Sequence, residues 1–342
     1  MHKFLAFVNK SLRSSVICLG ALFMLPAATA STENPAEEVY VFGHKIPDTD
    51  TISGAISVAH FYRERGLNTV AVAQGKPNPE TLFLLDRFKV KAPKVIDRID
   101  GHKFIMVDFS DVALAPDDFT PANLLGIIDH HKLGDVTSES PIECYIKPLG
   151  SANTIVKQLY DDYDIKIPKD IAGMMLGAIL SDTLIFKSPT TTRDDIRAAY
   201  ELAAIAGIED VEALGREQLT AKSDLSAPVS ELLMRDFKKF DINNHKVGVG
   251  QLELLEIKSV NADLKAKLLK EMEKVKSEQS YHTIMLVITI PDEGGSAVLI
   301  RSDSREQLLK AFNAPDDDSL KIVKGLLSRK KDIVPVLYQA LP

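Results

Sequence analysis

Short apolar runs rich in β-branched residues alternate with helical stretches from residue 38 onward. The first runs are VYVFG and TVAVA, and the segments that follow them, ISVAHFYRERG and TLFLLDRF, have helical periodicity. Two more strand-like runs, KFIMVDF and LGIIDH, continue the series. This alternation predicts an α/β fold with a doubly wound parallel sheet in the N-terminal domain. In such sheets ligands bind outside the carboxyl ends of the strands.

The C-terminal third of the chain has a different pattern. The stretch LTAKSDLSAPVSE loses periodicity and gains Ser, Ala and Pro, which indicates a linker. Beyond it, KFDINNHKVGVGQLEL predicts a β-hairpin with Asn243 and Asn244 at its turn. A charged helix, two strands and a C-terminal helix and strand follow, so we expect a smaller α/β domain with a mixed sheet.

The N-terminus has the pattern of a secretory signal peptide. Basic residues precede the uncharged stretch VICLGALFMLPAATA, which closes on the small-residue pattern Ala28-Thr29-Ala30. The apolar run 16–25 is too short for a retained membrane anchor. We therefore predict a signal peptide at 1–30, cleavage before Ser31 and export, with a periplasmic location. A cytoplasmic location follows if the segment does not act as a signal.

Net charge argues against nucleic acid as a partner. The chain has 41 basic and 48 acidic residues, a formal net charge of -7. Cleavage after residue 30 removes three positive charges and no negative ones, which moves the net charge from -7 to -10. Nucleic-acid binding depends on basic surfaces, so an acidic mature chain is a poor candidate.

Residues of metal-ligand type follow three of the four strand-like runs and one apolar helix. They are His44, Asp48 and Asp50 after the first run, Asp108 in VDFSD, His130 and His131 in IDHH, and Asp182 in LSDT. Taken singly, each has an ordinary structural explanation; Asp50 or Thr51, for example, would cap a helix starting at Ser53. Taken together these explanations fail, because burying so many acidic groups without a cation is strongly unfavourable.

Two divalent cations would resolve this repulsion, because cations between carboxylates turn them into shared ligands. Mixed imidazole and carboxylate ligands suit manganese, iron, cobalt or zinc better than magnesium alone.

The same motifs carry a family resemblance. In order, GHKIPDTDTI, VDFSD, IDHH, LSDT and SRKKDIVP resemble the signature series of family II inorganic pyrophosphatases, the manganese-dependent members of the DHH phosphoesterase superfamily. The resemblance covers residues 39–338. It implies a DHH metal-binding catalytic domain at 38–222 and a substrate-binding, DHHA2-like domain at 229–342.

The resemblance also implies a role for each residue that matches a family motif. Residues implied as metal ligands are His44 and Asp48 for one cation, Asp50 and His130 for the other, and Asp108 and Asp182 for both. Residues implied to contact substrate are His131, Lys238, Arg329 and Lys330. The chain departs from the family pattern at Phe109 and Ser110, where VDHNE has His and Asn, and at Ile46, where Asn is common.

The implied reaction is hydrolysis of pyrophosphate to two phosphates. The family uses two Mn²⁺ per subunit, with Co²⁺ as an alternative, and Mg²⁺ arrives with the substrate; water shared by the two metals attacks phosphorus in line. The linker suggests that the C-terminal domain closes over the metals. Alternatives left open are an exopolyphosphatase or another DHH phosphoesterase, and an exported metal-binding protein without catalysis. A homodimer is also left open.

Overall fold

The structure is a computed structural model that describes residues 37–341, so the predicted signal peptide lies outside the described residues. The first part of the described chain alternates strands and helices and then continues as four helices. Its strands are β1 (Val39–Phe42), β2 (Thr69–Ala73), β3 (Lys94–Val95), β4 (Lys103–Val107), β5 (Leu124–Asp129) and β6 (Glu143–Ile146). Its helices are α1 (Thr49–Glu64), α2 (Pro79–Phe88), α3 (Ala152–Asp162), α4 (Lys169–Asp182), α5 (Arg193–Ala206) and α6 (Val211–Lys222).

These six strands form one sheet in the order β3-β2-β1-β4-β5-β6, and every neighbouring pair is parallel. The predicted doubly wound parallel sheet is confirmed. Successive residues of β4 point to opposite faces, with Ile105 and Val107 in one apolar core and Phe104 and Met106 in another. The strand order reverses between β1 and β4, which is where a ligand site is expected in such a sheet.

The loop after β1 lies tightly against the start of α1. A Cβ atom at Gly43 would lie 2.4 Å from Thr51 Cγ2, so only glycine allows this approach. Asp48 caps α1 by accepting a hydrogen bond from the Thr51 backbone nitrogen at 2.9 Å. The alternative of a helix that starts at Ser53 is therefore wrong, because the helix already begins at Thr49 and places Asp50 in its first turn.

The second part of the described chain forms a five-stranded mixed sheet with helices on both faces. Its elements are α7 (Val229–Met234), β7 (Phe237–Ile242), β8 (His245–Glu253), α8 (Ala262–Glu278), β9 (Thr283–Ile290), β10 (Gly295–Ser302), α9 (Arg305–Ala311), β11 (Val323–Lys324) and α10 (Val334–Ala340). The strand order is β11-β10-β9-β8-β7, with β8 and β9 parallel and the other pairs antiparallel. The mixed sheet expected from the sequence is confirmed.

The predicted hairpin is also confirmed. Asn243 and Asn244 join β7 to β8 with φ angles of 52° and 66°. A two-residue turn with positive φ at both positions matches the twist of the flanking strands, and asparagine tolerates that backbone better than most residues.

Helix α4 ends earlier than its sequence pattern predicts. The apolar periodicity continues to Phe186, but the helix stops at Asp182. Leu184, Ile185 and Phe186 then have φ angles of 50°, 53° and 64°, three consecutive residues in the left-handed region. That backbone costs roughly 1–2 kcal/mol per residue outside glycine, so tertiary contacts must hold it. The early end leaves Asp182 at the carboxyl terminus of the helix.

The two sheets are connected by residues 223–228, between the end of α6 and the start of α7. The exact division of the chain into domains at 222 and 229 stays a prediction. Among residues 37–341, no helix combines the length and the apolar character needed to cross a bilayer.

Candidate metal centre

Six of the predicted ligand residues converge where the order of the parallel strands reverses. His44 follows β1, Asp48 and Asp50 lie at the start of α1, Asp108 follows β4, His130 follows β5, and Asp182 ends α4. Their donor atoms form three overlapping groups that could each hold a metal ion: His44, Asp48 and Asp108; Asp50, His130 and Asp182; and Asp108, His130 and His131. The topology therefore brings together residues that are far apart in the sequence.

The His44 imidazole is oriented as a metal ligand would be. Its Nδ1 atom lies 2.7 Å from the Lys45 carbonyl oxygen, which can only accept a hydrogen bond, so Nδ1 carries the proton. The Nε2 atom then presents a lone pair to the cluster. It lies 3.5 Å from Asp48 Oδ2 and 3.5 Å from Asp108 Oδ2.

His130 is oriented in the same way by a different backbone group. Its Nδ1 atom donates to the Leu149 carbonyl oxygen at 3.0 Å. Its Nε2 atom lies 3.2 Å from Asp108 Oδ1, 3.6 Å from Asp182 Oδ2 and 3.8 Å from Asp50 Oδ2. Backbone carbonyls commonly fix the tautomer and direction of metal-binding histidines.

Two atoms at the centre of the cluster are buried without a hydrogen-bond partner among the described residues. They are His44 Nε2 and Asp108 Oδ1. An unpaired polar atom in the interior costs free energy, so such atoms call for a partner. A neutral imidazole nitrogen and a carboxylate oxygen are both good ligands for a transition metal, so the donor set fits manganese ions.

Asp50 is fixed by the start of α3. Its Oδ1 atom accepts hydrogen bonds from Ser151 Oγ at 2.5 Å and Asn153 Nδ2 at 2.7 Å, and its Oδ2 atom accepts one from the Ala152 nitrogen at 2.8 Å. The positive end of a helix dipole favours a charged carboxylate there. Asp50 is fully buried, so these bonds keep a buried charge in place beside His130.

Crowding of carboxylates perturbs the pKa values in the cluster. Burial, together with the charges of Asp50 and Asp48, raises the pKa of Asp108 to about 6, and the same causes raise the pKa of Asp182. Burial opposes the charge on His130, but the close contact with the Asp108 carboxylate and the charge of Asp50 outweigh it and raise the pKa of His130 to about 9. The protein alone does not neutralise this cluster, so it favours bound cations.

His131 is held by a different carboxylate. Its Nδ1 atom donates to Asp129 Oδ1 at 2.9 Å, and Asp129 Oδ2 accepts a hydrogen bond from Ser110 Oγ at 2.9 Å. Burial lowers the pKa of His131 to about 3, and the charges of His130 and Lys238 act in the same direction. The sequence reasoning missed this role of Asp129, although its place beside the two histidines at a strand end is a signal for one.

Three cationic side chains from the second part of the described chain differ in how they contact the cluster: Lys238 lies on β7, and Arg329 and Lys330 lie in the helical turn Arg329–Ile333. Lys330 Nζ donates to the backbone carbonyl of His130 at 3.0 Å. The side chain of Lys238, on β7, forms no hydrogen bond or ion pair within residues 37–341, although its charge acts on His131. Arg329 is bound instead to Asp236, whose Oδ1 atom lies 2.7 Å from Nη2. Asp236 opens the segment DFKKF that contains Lys238, but the sequence did not indicate that it would bind Arg329.

Comparison with known proteins identifies the family. Models of the DHH family N-terminal domain and of the DHHA2 domain match residues 38–179 and 216–340. The chain is 40% identical to a manganese-dependent inorganic pyrophosphatase of Methanocaldococcus jannaschii, over 88% of this chain and 98% of that protein. A protein of the same name from Bacillus subtilis is 37% identical over 89% and 99% of the two chains. The chain belongs to the manganese-dependent inorganic pyrophosphatase family.

A solved structure supports the same assignment. The fold of a family II inorganic pyrophosphatase from Methanococcus jannaschii superimposes with a TM-score of 0.79 at 38% identity, covering 88% of this chain and 99% of that one. The predicted resemblance to family II inorganic pyrophosphatases is confirmed.

Three residues at which the sequence was expected to differ from the family pattern, Phe109, Ser110 and Ile46, lie near the metal centre. Phe109 is buried and packs beside Phe42, with ring centroids 6.3 Å apart, so it belongs to the apolar core beneath the sheet edge. Ser110 supports Asp129, as described above. Ile46 is 47% exposed and has a φ of 57°, a conformation that asparagine adopts more readily than a β-branched residue does.

Proposed function

We propose that this chain hydrolyses inorganic pyrophosphate to two phosphates with a pair of manganese ions. Family membership supports the reaction, and the convergent imidazole and carboxylate cluster supports the metal requirement. The observation that carries the proposal is the meeting of opposite charges at one place. Lys330, in the helical turn Arg329–Ile333 before α10, lies at the edge of the acidic cluster, with its Nζ atom 3.0 Å from the His130 carbonyl. A site for a metal-bound anion requires such a cation.

Two of the three groups correspond to the two metals that the resemblance implies. His44 and Asp48 would hold one ion, and Asp50 and His130 would hold the other. Asp108 would be shared, because its two oxygens face His44 and His130. Asp182, beside His130, would also contact both, and Co²⁺ could replace Mn²⁺ in this donor set. The cations, when bound, would activate water near neutral pH and neutralise charge on phosphate.

The remaining residues would bind and orient the substrate. Lys238 and Lys330 would donate charge-assisted hydrogen bonds to phosphate oxygens, together with Mg²⁺ brought by the substrate. Asp129 would hold His131 by its Nδ1 atom and leave Nε2 to contact substrate. Arg329 would need to share its guanidinium between Asp236 and phosphate.

Closure of the second sheet over the first would complete the site. Three contacts join the two parts near the cluster: Lys330 with the His130 carbonyl, Lys331 with the Pro189 carbonyl at 2.5 Å, and Lys187 with Asp292. Closing brings the lysines to the anion and excludes bulk water, which strengthens each charge interaction.

We also propose that the mature protein begins at Ser31 and acts outside the cytoplasm, on the basis of the charged N-terminus, the short apolar run and the Ala28-Thr29-Ala30 pattern. Mass spectrometry of the protein purified from its source cells measures the first residue directly. A mature chain that begins at Met1, or protein found only in the cytosolic fraction, would contradict export. Whether the chain forms a homodimer stays a prediction for sedimentation analysis.

Phosphate release tests the reaction. The protein is supplied with pyrophosphate, tripolyphosphate or a phosphate monoester, each with Mn²⁺ and with Mg²⁺. We expect pyrophosphate with Mn²⁺ to give the highest catalytic efficiency. A preference for tripolyphosphate would support an exopolyphosphatase instead, and no release from any substrate would support a metal-binding protein without catalysis.

A further inference from the structure

A second charged cluster lies behind Asp182, and the reaction proposed above does not use it. Lys222, the last residue of α6, lies between Glu80 of α2 and Glu253 of β8. Its Nζ atom is 3.2 Å from Glu80 Oε2 and 2.6 Å from Glu253 Oε2. It also donates to Ser181 Oγ at 3.2 Å. The side chains of all three charged residues are at least four-fifths buried.

Glu80 ties this cluster to the part of the chain that holds the candidate ligands. Its Oε2 atom accepts hydrogen bonds from Thr49 Oγ1 at 3.0 Å and Ser181 Oγ at 2.9 Å. Thr49 is the residue before Asp50, and Ser181 is the residue before Asp182. Gln218 donates to the other oxygen, Oε1, at 2.8 Å. Glu80 therefore holds together two helix ends that each carry a candidate metal ligand.

Glu253 ties the same cluster to the second sheet, because it is the last residue of β8. Ser223, the first residue of the connection 223–228 between the two sheets, is hydrogen-bonded in the same region. Ser223 Oγ accepts a hydrogen bond from the Leu255 nitrogen at 3.2 Å, and Arg235 donates to the Lys222 carbonyl at 2.9 Å. The Lys222 ammonium thus bridges the carboxylate of Glu80 on α2 and the carboxylate of Glu253 at the end of β8.

The chain just after Asp182 is attached to the second sheet too. The left-handed turn Leu184–Phe186 leads directly to Lys187, which pairs with Asp292, and to Pro189, which accepts from Lys331. Asp182 is therefore bounded on both sides by contacts with the second part of the described chain, and Lys222 provides the buried, charged contact.

We propose that Lys222 is a positioning residue that fixes the second sheet in the closed arrangement, so that Lys238 and Lys330 reach an anion at the metal centre. This inference rests on the proposed pyrophosphatase function. Without the ammonium, Glu80 and Glu253 would be two buried carboxylates with no cation between them, and their repulsion would separate the two parts of the molecule.

The expected effect on KM follows from the fraction of molecules that are in the closed arrangement. When only a fraction of the molecules is in the binding-competent form, the apparent affinity falls by that fraction. If the substitution lowers the closed fraction to about a tenth, the KM for pyrophosphate rises about tenfold. The kcat changes little, because saturating substrate selects the closed form.

The experiment compares Lys222→Met, Glu253→Gln and a control. Glu253→Gln leaves Lys222 paired with Glu80 and weakens only the link to the second sheet, so it keeps the test usable if Lys222→Met does not fold. Lys267→Met is the control, because Lys267 is an exposed lysine that pairs with Asp263 on α8. Each protein is loaded with Mn²⁺, and its metal content, melting temperature, KM, kcat and radius of gyration from small-angle X-ray scattering are measured.

We expect Lys222→Met to enlarge the radius of gyration without substrate and to raise KM about tenfold with bound manganese unchanged. Glu253→Gln should shift both quantities in the same direction by less, and the control should match the wild type. A lower melting temperature with unchanged KM and radius of gyration would overturn the proposal, since it would show a stabilising role only. If the wild type released no phosphate, the proposed function would fail, and the scattering comparison would still decide the role of Lys222.

Discussion

Replacing Lys330 with alanine tests whether the C-terminal part of the chain supplies a cation to the substrate. Lys330 Nζ lies 3.0 Å from the His130 carbonyl, at the edge of the acidic cluster, and Lys330 belongs to none of the groups that could hold a metal. Lys330→Ala should therefore leave manganese bound while it removes one charge-assisted hydrogen bond to phosphate.

The size of the expected loss in kcat/KM follows from the free energy that a charge-assisted hydrogen bond contributes. A hydrogen bond to a charged group contributes about 1.5–3 kcal/mol, so kcat/KM should fall roughly tenfold to more than a hundredfold. The variant that carries both Lys330→Ala and Arg329→Ala should lose less transition-state stabilisation than the sum of the two single variants, because both residues would act on one anion. Arg329 is also already bound to Asp236.

The assay measures pyrophosphate turnover and manganese content on the same samples. Lys324→Ala is the matched control, since Lys324 is an exposed lysine of β11 whose ammonium donates to the Glu293 carbonyl and lies outside the acidic cluster. Unchanged kcat/KM in Lys330→Ala would refute the role of this lysine. Loss of manganese from that variant would show that the damage reaches the metal ligands through His130.

Three further predictions concern the metal centre and its loop. Asp108→Asn and Asp182→Asn should each abolish turnover and weaken manganese binding, because each removes a charge that two cations would share. Near-normal turnover with full metal content in either variant would show that its carboxylate is not shared by two cations. Saturating Mn²⁺ should stabilise the folded protein by about 2.7 kcal/mol when the free Mn²⁺ concentration is 100 times Kd. A melting temperature that is the same with Mn²⁺ and with a chelator would contradict binding of Mn²⁺ to the folded state. Ile46→Asn should raise the free energy of unfolding of the metal-free protein by on the order of 1 kcal/mol, because it relieves a left-handed backbone at a β-branched residue. Urea denaturation measures this free energy. A destabilised variant would show that the Ile46 side chain makes a compensating contact.

The sequence predicted the parallel sheet and the assembly of the ligand residues because both depend on local patterns. Buried parallel strands read as short β-branched runs, and residues at their carboxyl ends meet at one edge of the sheet whatever their separation in the chain. The sequence pattern is therefore sufficient to place His44, Asp108 and His130 together. The two-residue turn at Asn243 and Asn244 is a local signal of the same kind.

Features that depend on tertiary contacts were not predictable. The two edge strands β3 and β6 are short, at Lys94–Val95 and Glu143–Ile146, and have no clear alternation. Helix α4 stops at Asp182 because contacts beyond it impose a left-handed turn, whereas its apolar pattern continues unbroken. Lys222 has the sequence context of a surface charge, and only the fold brings the carboxylates of α2 and β8 to it.

The engagement of Arg329 by Asp236 is also tertiary. The family motif implies that Arg329 contacts phosphate, and in the structure its guanidinium binds the carboxylate and the backbone carbonyl of Asp236 at 2.7 and 2.8 Å. Burial would raise the pKa of Asp236, but the charges of Arg329 and Lys238 outweigh it and lower that pKa. Asp236 therefore orients the arginine beside Lys238, and no residue pattern in the sequence indicates that pairing.

Titration of manganese into the metal-free protein tests the central claim most directly. Bound manganese and pyrophosphate turnover are measured together after each addition. The arrangement of His44, Asp48, Asp50, Asp108, His130 and Asp182 predicts two equivalents bound per chain, with turnover appearing as the second ion binds. Full turnover without added metal, or saturation of binding and turnover at one equivalent, would contradict a two-metal pyrophosphatase centre.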